Sequence, residues 1–101
     1  MPPKPSPADI ELAIKQAEND EWIHDPDEEP GCVWECLLYD PDGELVGNGH
    51  AYNPNLAMAH AWLCVWAPAV CLGYVEPDSV PHDVPAGWRF ELARNSKFQP
   101  S

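Results

Sequence analysis

The sequence predicts an α+β fold. A three- or four-stranded, mainly antiparallel sheet carries helices packed on it, in the order helix, strand, strand, helix, strand. Three stretches carry this reading. Ser6-Pro7-Ala8-Asp9 opens an apolar stripe of helical period, Asp40-Pro41-Asp42-Gly43 sits between two extended runs, and Asn53-Pro54 opens a long apolar run. With 101 residues the chain forms one domain, 1–101, and its five Trp, three Tyr and two Phe supply much of a core.

The first five residues are Pro-rich and read as a loose tail. Ser6 is then a helix cap, Pro7 suits the first helical position, and Asp9 lies at the positive end of the helix dipole. Ile10, Ala13, Ile14 and Ala17 recur at i, i+3, i+4 and i+7, so an amphipathic helix reaches about Asn19 with Glu11, Lys15 and Glu18 toward water. From Glu18 to Glu29, seven of twelve residues are acidic, with Trp22 and Ile23 set among them. A solvated acidic loop has no need of a tryptophan. Trp22 either tucks back onto the first helix or is displayed beside the acids, and tucking back is the simpler reading.

Cys32–Tyr39 and Glu44–Tyr52 read as the strands of a hairpin. Between them Pro41 presets φ, Asp40 can accept from the backbone ahead of it, and Gly43 can take a positive φ, which together close a hairpin with a bulge. On the first strand Cys32, Trp34, Cys36 and Leu38 share one face; Val33, Glu35, Leu37 and Tyr39 share the other. Gly47 and Gly49 leave one face of the second strand bare, which lets a helix or another backbone come close. Asn53 then caps a helix with Pro54 at its first position, and the helix is expected to stop at about Ala67, before Pro68. His60 is the one strongly polar residue between Leu56 and Ala67, so this helix is covered on more than one side. At about twelve residues it is short of the roughly twenty needed to span a bilayer.

Beyond it, Ala69–Val75 is expected to be a short apolar piece, read as a strand. Residues 76–87 form a loop, since Pro77, Pro81 and Pro85 exclude helix and central strand. Trp88, Phe90 and Leu92 then alternate with Arg89 and Glu91 in a half-buried strand.

Seventeen Asp and Glu stand against five Lys and Arg, a net charge of −12. That field repels nucleic acid and anionic lipid and attracts a basic protein surface. Its plainer meaning is solubility. The opening MPPKPSPADI has no apolar signal segment, which places the chain in a cytoplasm and argues against disulfides among its four cysteines.

Chemistry-bearing clusters are sparse. Cys32 and Cys36 lie about 13 Å apart if their strand is unbroken, too far for one metal ion. Cys64 and Cys71 flank Pro68, and no zinc-type spacing occurs. All four cysteines read as small buried hydrophobes. His60 reads as a core histidine with a partner, His50 lies near the open end of the hairpin, and His24 and His82 fall in acidic loops where carboxylates favour the charged ring. Asp40, Asp42 and Glu44 are read first as turn chemistry, lacking the calcium-loop pattern. No nucleophile sits in a recognisable context, and neither cofactor nor metal is called for.

The part from about Trp34 to Trp66, with Asn53-Pro54-Asn55 leading to the Ala59-His60-Ala61-Trp62-Leu63 run, resembles small phage- and prophage-encoded proteins of the α/β/α-sandwich type. Size and acidity are similar in kind to the anti-CRISPR and anti-restriction inhibitors, several of which imitate nucleic-acid charge. The Ser6 helix and the 76–87 loop have no counterpart in either group. The resemblance implies a non-enzymatic, phage-type inhibitor of a host defence or nucleic-acid-handling complex, acting in a bacterial cytoplasm on a basic or nucleic-acid-binding protein.

The residues assigned to partner binding are Glu21, Trp22, Asp25, Asp27, Glu28 and Glu29, with Asp40, Asp42 and Glu44 as a further acidic group. A metal- or redox-linked module built on the cysteines and histidines is the alternative. A small enzyme with His50 or His60 beside a carboxylate is third. The 54–67 helix also offers Met58, Trp62, Val65 and Trp66 on one side and Leu56, Ala59 and Leu63 on another. One sheet covers only one of these. The first helix can cover the second, though its stripe is narrow and made largely of Ile and Ala, so either a homodimer buries the patch left bare or residues 69–86 fold back as a lid.

Overall fold

A computed structural model describes residues 4–23 and 33–95. Two helices, α1 (Pro7–Glu18) and α2 (Pro54–Cys71), pack with a sheet of β1 (Val33–Tyr39), β2 (Leu45–Ala51) and β3 (Arg89–Asn95). The fold is α+β in the order α1-β1-β2-α2-β3, and the sheet is wholly antiparallel in the order β2-β1-β3.

The hairpin turns where its residues dictate. Asp40 Oδ1 accepts from the backbone N–H groups of Asp42 (3.0 Å) and Glu44 (2.9 Å), and Gly43 sits at φ +88°. The register steps between Leu38–Gly47 and Tyr39–Leu45, leaving Val46 as the bulged residue. Burial on β1 departs from strict alternation: Val33, Cys36 and Leu38 are all fully buried.

The bare face of β2 receives α2. A Cβ added at Gly47 would run into the backbone carbonyl of Ala61, and one at Gly49 into that of Ala57. Ala57 and Ala61 are themselves fully buried. Helix and strand therefore meet backbone to backbone, closer than any side chain on β2 would permit.

Two elements end differently from their sequence reading. Helix α2 does not stop before Pro68 but continues to Cys71, so 69–71 is helix rather than strand. A proline within a helix removes one N–H bond, and on an exposed face the carbonyl freed at Cys64 can be hydrated. Pro68 is exposed. The helix closes instead at Gly73 (φ +80°), where Tyr74 N–H bonds Ala69 O (2.9 Å) and Gly73 N–H bonds Val70 O (3.1 Å), a Schellman ending. Residues 4 and 5, expected in a loose tail, are anchored: Pro5 is fully buried and Lys4 Nζ lies 3.0 Å from Asp83 Oδ1.

The 76–87 stretch holds a 3-10 turn, Pro77–Ser79, and then lies over α2. Val80 and Val84 join the core, and Trp62 Nε1 donates to Pro81 O at 2.8 Å. Trp62 also meets Trp66 and Trp88 edge to face. Met58 and Trp62, on the side offered to a second copy, are thus buried within the chain (2 % and 1 % exposed).

Candidate functional site

A second side of α2 carries α1, and this packing is incomplete. Ile10, Ala13 and Ile14 of α1 are buried, whereas Ala17, the last residue of its predicted stripe, is exposed. The chain beyond α1 explains the opening. Asp20 takes a left-handed conformation (φ +56°), Glu21 N–H bonds Gln16 O (2.8 Å) and Asp20 N–H bonds Ala17 O (3.3 Å). This is a second Schellman ending, with Asp where glycine is commonest. It turns the chain back on α1, so that Trp22 stands beside Ala17 at 39 % exposure and Ile23 is buried.

Trp22, Ala17, Leu63 and Ala67 are walls common to two hollows, of about 360 and 350 Å³, which form the two halves of one groove. The first half reaches the edge strand at Asn48–His50 and includes His60 and Cys64. The second runs along the end of α2 past Val70 and Cys71 to Pro77 and Val80, with Glu18 at its margin. Asp20 and Glu21 precede Trp22 on one bank; Glu76 and Asp78 flank Pro77 on the other, and all four are exposed. No Lys or Arg among the described residues lines either half. The groove is thus apolar along its floor and acidic at its rim.

Its polar end has little reactive character. His60 is 8 % exposed and its Nε2 lies 2.9 Å from Gln16 Oε1, so its partner is an amide and not a carboxylate. Burial holds its pKa down to about 4, well below the usual imidazole value, and the ring is neutral near pH 7. His50 Nε2 is 4.0 Å from Glu35 Oε2, its cross-strand neighbour. Cys64 Sγ contacts Asn48 Oδ1 at 3.7 Å. Cys36 is fully buried, and burial pushes its thiol up to about 12 against a smaller opposing effect of a backbone hydrogen bond at Glu91; it is protonated and unreactive. Among the described residues no three His, Cys, Asp or Glu side chains converge to hold a metal ion.

The residues assigned to partner binding separate into three groups. Glu21 and Trp22 lie at the groove. Asp40, Asp42 and Glu44 lie at the hairpin turn, where Asp40 is occupied with backbone N–H groups, and the groove meets β2 only from Asn48 onward, roughly 10 Å along the strand from Leu45. Asp25, Asp27, Glu28 and Glu29 lie outside the described residues, as do His24 and Cys32. Sequence reasoning missed Ala67, Val70, Cys71 and Val80, since three of these lie on or next to the helical turn added after Pro68. The available signal was Gly73, two residues past Cys71, in the position a helix ending favours. No helix among the described residues is long and apolar enough to cross a membrane. No family model matches the chain, and no curated protein or solved structure matches it.

Proposed function

We propose that this protein is a non-enzymatic binding module that docks on a basic surface of another protein. It would act in the manner of small phage-encoded inhibitors of host defence or nucleic-acid-handling complexes. The observation that supports this reading is how the charge is distributed. Each described cation is already engaged: Lys4 with Asp83, Lys15 with Glu11, Arg89 with Glu91 and the Tyr39 ring, and Arg94 over the Trp34 ring. Glu18, Glu21, Glu76 and Asp78 have no such cation opposite them among the described residues. Among the described residues these exposed carboxylates stand without a facing cation, in a chain whose net charge is −12, and such a field speeds and orients encounter with a positive partner. The module is proposed to work as a monomer, because on the side of α2 that argued for a homodimer Met58 and Trp62 are buried within the chain, Trp62 against Pro81.

The test is capture from bacterial lysate at low ionic strength, with identification of what is retained. A basic or nucleic-acid-binding protein whose association slows steeply with added salt is the expected result. Recovery of no such partner rejects the reading.

A further inference from the structure

We infer that the groove between α1, Trp22 and the end of α2 is the docking surface, and that its occupant is a basic amphipathic helix of the partner. This rests on the proposed function and specifies where and by what chemistry it operates. The floor supplied by Ala17, Leu63, Ala67 and Val70 is apolar and accessible, with Ala17 and Ala67 exposed. Trp22, an aromatic residue 39 % exposed, lines both halves. Small residues on two neighbouring helices leave room for bulky anchors between them, the arrangement by which a groove takes the apolar face of a helix at i, i+3 and i+4.

The rim decides the charge of the occupant. Glu18 lines the groove and Glu21 precedes Trp22 on its wall, while Glu76 and Asp78 flank Pro77, which lines it too, and no described Lys or Arg does. A helix with Leu or aromatic anchors and Lys or Arg on its flanks meets both features at once. An acidic amphipathic helix would meet only the floor, and a purely cationic segment only the rim.

The experiment uses the full chain and three labelled probes followed by fluorescence anisotropy: a helical Leu/Lys amphipathic peptide, oligolysine of equal charge, and a Leu/Glu peptide. The Leu/Lys peptide is expected to bind saturably and more tightly than oligolysine, and the Leu/Glu peptide to be rejected. Ala67→Trp, which fills the groove, should weaken the Leu/Lys peptide at least about tenfold and leave oligolysine unchanged. Ala17→Trp, from the opposite wall, should do the same, so that a folding failure in one variant leaves the other to decide. Glu18→Gln with Asp78→Asn should flatten the salt dependence.

If the Leu/Lys peptide and oligolysine bind alike and neither tryptophan variant changes this, the groove inference is overturned while docking through acidic charge survives. If no cationic probe binds at low salt, both fall. If the free protein sediments as a dimer that Ala67→Trp makes monomeric, the occupant is a second copy and the inference is wrong.

Discussion

Helix α2 has two flanks that are built in opposite ways. Toward β2 it is closed: Gly47 and Gly49 bring the strand so near that the carbonyls of Ala57 and Ala61 occupy the space of a side chain. Toward α1 it is open: Leu63 and Ala67 border a groove whose far wall is an exposed alanine and a partly exposed tryptophan. Small residues serve both flanks, with contrary results. Glycine facing backbone brings strand and helix into direct contact, whereas alanine facing alanine across two helices leaves a groove, whose first half reaches the edge of that same seam at Gly49. The difference lies in what stands opposite. On the sheet side, β2 is fixed by six pairings with β1. Helix α1 ends at Glu18, while α2 runs on for residues that α1 cannot cover.

The closed flank is the place where substitution should cost most. Gly49→Ala inserts a methyl group where the Ala57 carbonyl and the Ala61 backbone already stand, so strand or helix must move. We expect a loss of about 3 kcal/mol, at the upper end of overpacking costs, measured by chemical denaturation. A loss of less than about 1 kcal/mol would show that the seam yields, and the contrast between the flanks would collapse.

His60 lies on the boundary between the two flanks, one face toward Gln16 and one wall of the groove. Its folded pKa is about 4 against an ordinary 6.5. The native state therefore binds fewer protons than the unfolded chain between these values. Stability is full above about pH 6.5, falls as the pH drops toward 4, and loses about 2–3 kcal/mol over that window. His60→Gln removes this titration, so the difference between the two proteins' pH profiles isolates it from the many carboxylates. Parallel profiles would mean that water enters from the groove and keeps the charged ring solvated, which would extend the open flank to His60.

What the sequence disclosed and what it concealed follow the same division. The closed flank was legible because each of its parts is local: Asp40 and Gly43 make the turn, Asn53 accepts from Leu56 N–H at 2.8 Å, and the glycine pair marks a close approach. The pairing of β1 with β3 joins residues fifty or more apart in the chain and left only the alternation around Phe90 as its trace. The groove was less legible still. It depends on a helix that passes Pro68 and on a chain reversal at Asp20 made without glycine, and both contradict the most reliable local signals. Trp22 was conspicuous among acids, but the backbone bonds that set it against Ala17 have no sequence signature.

The smallest effect is expected at Ala67, and its smallness is the informative part. Ala67→Trp adds the largest side chain on the same helix that cannot spare a methyl group opposite Gly49. At Ala67 the residue is exposed and the groove beyond it is about 350 Å³. The helix loses a few tenths of a kcal/mol in propensity when alanine is replaced. Apolar contact of the new ring with Trp22 and Leu63 offsets this at about 25 cal/mol per Å² covered. Stability should therefore stay within about 0.5 kcal/mol of wild type, the range of an ordinary surface change. Denaturation of the wild type, Gly49→Ala and Ala67→Trp side by side makes the comparison direct. A destabilisation by Ala67→Trp that approached that of Gly49→Ala would mean that the flank is already filled, and no binding groove would remain to be blocked.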